Sequence, residues 1–97
     1  MTIEKKQNGT ALTIALEGRL DTTTAPELEK ELNALGNVNE LTLDFGKLEY
    51  ISSAGLRVLL AAHKIMSRKG GMKVTNVNEI VNEVFEVTGF SDILTIE

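Results

Sequence analysis

Segments with strand-like patterning alternate along this chain with segments of helical patterning, and this order constrains the fold more than any other feature. Apolar residues occupy every second position from 12 to 16 and again from 41 to 45. Between them, apolar residues recur every three or four positions from 25 to 35. Strands separated by a helix become parallel neighbours through right-handed crossovers. The chain is therefore predicted to form an α/β domain.

The predicted sheet is mixed, with four to five strands, and about three to four helices accompany it. Asn8-Gly9 is typical of a tight turn, so the sheet is expected to open with an antiparallel hairpin. Strands are predicted at 2–6, 10–17, 41–45 and 72–76, with an edge strand within 93–96 and a loop at 46–51. Three helices are predicted: one at 25–35 capped by hydroxyls of 22–24, one capped by Ser52 and Ser53 and stopped by Gly70-Gly71, and one between Asn78 and Gly89. No linker or repeat interrupts residues 1–97, which are interpreted as one domain. With only three clearly amphipathic helices, part of the sheet is expected to be thinly covered.

Composition excludes several classes of function. Ten Lys and Arg against fourteen Asp and Glu give a net charge of −4, which argues against binding to bulk nucleic acid. The absence of Cys excludes disulfides, thiolate zinc sites and cysteine nucleophiles, and a single His excludes multi-histidine metal sites. No apolar run of about 18 residues or signal-peptide pattern occurs, so we expect a cytoplasmic protein without membrane insertion.

The most informative segment is Ser52-Ser53-Ala54-Gly55, which joins a predicted strand to a long amphipathic helix. A helix N-terminus offers free backbone N–H groups and about half a positive charge, which suit an anion. The simpler interpretation is that the serines cap the helix, since serine is a preferred N-cap residue. The functional interpretation is that one serine carries a phosphate, which would present about two negative charges to a partner.

Enzymatic interpretations of this segment fail on motif and distance. The Gly-x-Ser-x-Gly pattern of serine hydrolases is absent, and the only histidine, His63, lies roughly 15 Å along the same helix. Gly70-Gly71 stands at the end of a helix and belongs to no phosphate-binding loop motif. We therefore expect no enzymatic activity, and we assign no metal, cofactor or catalytic residue.

Charged residues are segregated along the chain. Residues 50–78 include five basic side chains and no acidic one, whereas residues 77–97 include five acidic side chains and no basic one. This pattern is typical of solvated helix faces, but Arg57, Lys64 and Arg68 could also border the serines and meet an acidic partner. Asp21 ends a predicted turn and Asp44 ends a predicted strand, and both are predicted to lie on the same rim of the sheet as Ser53.

The quoted motifs resemble those of the anti-sigma factor antagonists, the single-domain members of the STAS (sulfate transporter and anti-sigma antagonist) family. The resemblance rests on Gly18-Arg19-Leu20-Asp21, on 43–45, and on the run from Tyr50 to Leu59 that contains both serines. It covers nearly the whole chain, and the serine segment is its most specific part. A STAS-like fold is thus implied.

The resemblance implies a binding switch. Family members bind an anti-sigma factor that is also a serine kinase, which frees the sigma factor; phosphorylation separates the pair, and a metal-dependent phosphatase restores binding. Alignment implies Ser53 as the phosphorylated residue, with Ser52, where many relatives carry Asp, as the alternative. The implied partner-binding residues are Asp21, Asp44, Ser52, Ser53, Ala54, Gly55 and Arg57. The second function that the resemblance allows is a standalone STAS subunit of a membrane lipid-transport complex.

Overall fold

The computed structural model describes residues 1–97 and contains one sheet of five strands, which follow one another in chain order. The strands are β1 (Thr2–Asn8), β2 (Ala11–Leu20), β3 (Glu40–Ile51), β4 (Met72–Thr75) and β5 (Thr95–Ile96). The helices are α1 (Ala25–Leu32), α2 (Ser53–Met66) and α3 (Glu79–Thr88), and a short 3₁₀ helix (Phe90–Asp92) follows α3. β1 is antiparallel to β2, and all later neighbours are parallel. The predicted α/β class with an opening hairpin is confirmed.

The three helices lie on one face of the sheet, because right-handed crossovers between strands in chain order all pass over the same side. This face carries a single core cluster of 24 buried apolar residues. Side chains on the opposite face, among them Thr13, Ala15 and Thr42, are small or polar and partly exposed. One face of the sheet therefore has no helical cover, as expected from the number of amphipathic segments. No helix is long and apolar enough to cross a membrane.

The predicted loop at 46–51 is wrong, because β3 continues without interruption to Ile51. Its pairing with β2 shifts register twice, within residues 15–17 and between residues 18 and 19 of β2. Each shift accommodates one extra residue of β3, as in a β-bulge. The bulges replace the two-residue alternation with a three-residue spacing of the buried side chains, which are those of Phe45, Leu48 and Ile51.

The helix boundaries match the predicted signals at α3 and depart from them at α1. The Asn78 side chain accepts a hydrogen bond from the backbone N–H of Val81 at 2.8 Å, and Gly89 ends α3 with a left-handed φ of 82°. α1 ends at Leu32, earlier than predicted, and the side chain of its N-cap residue Thr24 makes no capping hydrogen bond.

Gly55 lets α2 approach the last residues of β2 and β3. A Cβ atom at this position would lie 2.8 Å from Leu20 Cγ and 2.8 Å from Ile51 Cγ1. Both distances are shorter than the contacts that packed carbon atoms make. A residue without a side chain is therefore needed for the first turn of α2 to rest on the two strand ends.

Gly55→Ala is expected to lower the free energy of unfolding by about 1–3 kcal/mol, the usual range for overpacking a core. The loss should appear although alanine is the better helix former. Urea denaturation followed by circular dichroism would measure the change. Ala61→Gly, at an exposed position of the same helix, is the control and should lose only about 1 kcal/mol of helix propensity. A Gly55→Ala variant more stable than the wild type would refute the close packing.

Candidate functional site

The candidate site lies where β2 and β3 end and α2 begins. The backbone N–H of Ser52 donates to the carbonyl of Leu20 at 2.9 Å, so the two segments leave the sheet side by side. Ser53 then begins α2 with an exposed side chain. Six of the seven predicted partner-binding residues belong to this rim: Asp21, Ser52, Ser53, Ala54, Gly55 and Arg57. The seventh, Asp44, does not.

The two serines differ in accessibility, and neither caps α2 as predicted. Ser52 occupies the N-cap position, but its side chain makes no capping hydrogen bond. The Ser52 hydroxyl oxygen is buried and has no hydrogen-bond partner in the chain. The Ser53 side chain, in contrast, is exposed. Ser53 is therefore the serine that another protein can reach in this conformation.

The N-terminus of α2 is suited to a negative charge. Its first turn contains no acidic residue and no side-chain cap, whereas α1 and α3 carry Glu27 and Glu79 in their first turns. The first N–H groups of a helix lack intrahelical partners and lie at the positive end of its dipole. An anionic group on Ser53 would therefore be stabilised by α2 itself.

Asp21 organises the turn between β2 and α1. Its Oδ1 accepts hydrogen bonds from the Thr23 hydroxyl at 2.8 Å, the Thr23 N–H at 3.0 Å and the Thr24 N–H at 3.2 Å. These donors, the Thr23 hydroxyl foremost, stabilise the charged carboxylate and hold the pKa of Asp21 below its usual range. The side chain thus has a structural task at the rim, whether or not it also contacts a partner.

Asp44 lies inside β3 and on the helix-free face, so its predicted place beside Ser53 is wrong. At the rise of a β-strand it stands roughly 20 Å from the end of β3. Its Oδ1 accepts from the Asn76 side chain at 3.0 Å and from the Gly46 N–H at 2.9 Å. These hydrogen bonds lower the pKa of Asp44, and the one from Asn76 has the largest effect. Together with Glu4 and other residues it lines a cavity of about 390 Å³.

Two side chains at the rim were not assigned by the sequence analysis. The guanidinium of Arg19 lies over the Tyr50 ring, 4.7 Å from its centroid, which is a cation–π contact. The two residues face each other in the register of β2 and β3. That register depends on the two bulges, so the pair could not be read from the sequence. The one signal available in the sequence is that each residue lies in a segment that carries the family resemblance.

No group of three or more His, Cys, Asp or Glu side chains is arranged to hold a metal ion. The rim therefore offers an exposed hydroxyl, a free helix N-terminus and flanking charged side chains. These features suit recognition by a protein and acceptance of an anionic group.

Comparison with known proteins identifies the family. The family described as "Mlab, STAS domain" matches residues 3–95. The chain belongs to the STAS domain family. The resemblance noted in the serine segment is thereby confirmed over almost the whole chain.

The most informative relatives of this STAS domain are anti-sigma factor antagonists by name. One is BtrV of Bordetella bronchiseptica, whose name as an anti-sigma factor antagonist is provisional. It is 40% identical over 88 residues, which cover 88% of this chain and 76% of BtrV. The anti-sigma-B factor antagonist of Listeria monocytogenes is 30% identical over 102 residues, covering 100% of this chain and 89% of that protein. Both names favour the function of an anti-sigma factor antagonist over that of a subunit of a membrane lipid-transport complex.

Among solved structures, unphosphorylated SpoIIAA, an anti-sigma factor antagonist of Bacillus, superimposes with a TM-score of 0.85. It is 18% identical, and the match covers 99% of this chain and 88% of SpoIIAA. At that identity the likeness shows the fold alone, and it confirms the STAS-like fold.

The lowered pKa of Asp21 predicts a pH dependence of stability. Because the folded pKa is depressed, the contribution of Asp21 is full above the unfolded-chain value of about 3.9 and disappears as the pH falls through the folded value. A carbon-13 NMR titration of the Asp21 carboxyl should report the low folded value. In the Thr23→Val variant, which lacks the hydroxyl that donates to Asp21 at 2.8 Å, the same titration should move toward higher pH. An unchanged titration would contradict the assigned cause.

The unpartnered Ser52 hydroxyl predicts an unusual result for an N-cap substitution. Ser52→Ala should leave the free energy of unfolding unchanged or slightly higher, because it removes a buried, unsatisfied oxygen. Asn78→Ala is the matched case at α3, where the side chain accepts from Val81 and also donates to the Leu48 carbonyl at 2.8 Å. That substitution should cost about 1–2 kcal/mol. Equal losses in the two variants, measured by urea denaturation, would show that Ser52 caps α2.

Proposed function

We propose that this protein is an anti-sigma factor antagonist and that phosphorylation of Ser53 switches its binding off. The observation that carries the proposal is the contrast between the serines: Ser53 is exposed at the uncapped start of α2, and the Ser52 hydroxyl is buried. The similarity to the named antagonists of Bordetella bronchiseptica and Listeria monocytogenes supports the class of function.

In the proposed cycle, the unphosphorylated protein binds an anti-sigma factor that is also a serine kinase, and the sigma factor is released. The kinase then transfers the terminal phosphoryl group of ATP to the Ser53 hydroxyl, and the complex separates. A metal-dependent phosphatase hydrolyses the phosphoserine and restores binding. The protein is thus a binding partner and a substrate rather than an enzyme, and it acts in the cytoplasm, where sigma factors meet RNA polymerase.

The geometry of the rim supports a switch at Ser53. The Ser53 side chain is exposed and its neighbour Ala54 is small, so a kinase can approach the hydroxyl. Inside the domain the new dianion is stabilised by the helix N-terminus. At a packed interface it loses water and meets repulsion, and a penalty of ~3–4 kcal/mol would weaken binding several hundred-fold.

Such a phosphate should change affinity rather than fold. The phosphorylated form of SpoIIAA superimposes on this chain with a TM-score of 0.77, so the STAS fold accommodates phosphorylation in that protein. In this chain the Ser53 side chain is already exposed to solvent, so a phosphate can be added to it without repacking the core.

Incubation with the cognate anti-sigma factor kinase and ATP, followed by mass spectrometry, determines which serine is phosphorylated. The wild type and Ser52→Ala should each gain one phosphate on Ser53, and Ser53→Ala should gain none. Phosphate on Ser52, or on neither serine, would refute the assignment.

The same partner tests the switch itself. By titration calorimetry, Ser53→Asp, which adds one negative charge where a phosphate adds about two, should bind the anti-sigma factor roughly ten- to thirty-fold more weakly than the wild type, while its circular dichroism spectrum stays the same. Ser53→Ala should bind normally and should not be released when ATP is added. Ser91→Asp, which adds the same charge at an exposed position outside the rim, is the control. Unchanged binding by Ser53→Asp would exclude the rim as the switch.

A further inference from the structure

The outer faces of α2 and α3 carry opposite charges that the chain leaves without ion-pair partners. Lys64 on α2 and Arg68 in the turn directly after α2 form an exposed basic row, and Glu79 and Glu83 form an exposed acidic row on α3. The three ion pairs of the protein involve other residues. Both rows are therefore available to an external partner.

Helix dipoles account for only part of this arrangement. Basic residues near the C-terminal end of α2 and Glu79 at the start of α3 are favourable to their own helices. Glu83 gains nothing from the first turn of α3, and Glu86 lies near the negative end of the same helix, where a carboxylate is unfavourable. The dipole of α3 thus accounts for Glu79 but not for Glu83 or Glu86.

Exposed apolar side chains accompany both rows. On α3, Ile80 is 60% exposed and Val87 is 81% exposed, and both lie beside the glutamates. On α2, Ile65 is 38% exposed beside Lys64. Such side chains favour association, because contact removes their apolar surface from water.

Because α2 and α3 lie on the same face of the sheet, this face carries both a basic and an acidic row, as a self-complementary surface requires. A two-fold axis that runs between α2 and α3 would place α2 of each copy against α3 of the other. A symmetric interface requires such reciprocity, in which one patch carries both halves of the contact. We propose that two copies of this chain associate through this helical face, with the Lys64–Arg68 row of each copy against the Glu79–Glu83 row of the other.

The size of the face predicts a weak, reversible dimer. A standard interface buries about 800 Å² on each partner, which is roughly one-seventh of the 5580 Å² surface of the chain. The two helix faces, about 21 Å and 15 Å long, offer less than that. Lys64 also stands about 16 Å along α2 from Ser53, so the contact is separate from the phosphorylation switch.

Sedimentation equilibrium of the full chain in low salt, at concentrations up to about 1 mM, tests the proposal. The average mass should rise with concentration toward twice that of the monomer, and about 1 M NaCl should reverse part of the rise because it screens the charges. Glu83→Lys alone and Lys64→Glu alone should each remain monomeric. A mixture of these two variants should recover the dimer, because every contact between the two different chains again joins opposite charges.

Glu29→Lys and Lys30→Glu on the exposed face of α1 make the same charge changes outside both rows. They should dimerise like the wild type. Circular dichroism establishes that each variant is folded, since all four positions are on the surface. A wild type that is monomeric throughout, or a Glu83→Lys variant that dimerises normally, would overturn the proposal. Because no anti-sigma factor is present, failure here leaves the proposed switch at Ser53 unaffected.

Discussion

The packing of Gly55 against Leu20 and Ile51 positions the functional part of this protein. β2 and β3 end at the same level, because these two apolar residues are the last pair of the parallel ladder. The absent side chain of Gly55 lets the first turn of α2 rest directly on that pair. Ser53 is consequently held by the core and not by a flexible loop, so its position relative to Asp21 and Tyr50 is set by packing. A rigid rim of this kind can bind a partner without losing much conformational entropy.

Most of the architecture could be predicted from local patterns, and the failures have physical causes. The hairpin at Gly9, the cap at Asn78 and the end of α3 at Gly89 follow from single residues whose backbone or side-chain chemistry acts locally. The second half of β3 was missed because two bulges give its buried residues a three-residue spacing, which matches neither a regular strand nor a helix. Bulges arise from pairing with another strand, so one segment read alone does not reveal them. Asp44 was misplaced for the same reason, since the strand was expected to end beside it.

The sequence located the serine segment but not the difference between its two serines. Preference for serine at the N-cap predicts that the hydroxyl of Ser52 bonds to the helix, and the structure shows that it does not. A buried hydroxyl without a partner lowers the stability of the fold. The same arrangement leaves the first N–H groups of α2 free of a side-chain cap. The N-terminus of α2 is thus locally less stable and at the same time suited to an anion. Residue preferences for helix caps do not predict this combination.

The charges near Ser53 decide where a phosphate would act. Arg19 is already engaged by the Tyr50 ring and lies 3.8 Å from the Asp21 carboxylate. Along α2 the nearest cation is Arg57, four residues beyond Ser53, and a pair at that spacing on a helix contributes only about 0.2–0.5 kcal/mol. This is far below the ~3–4 kcal/mol expected when a dianion is forced into a packed interface. The domain can therefore tolerate the phosphate without neutralising it, and most of its charge remains facing the partner.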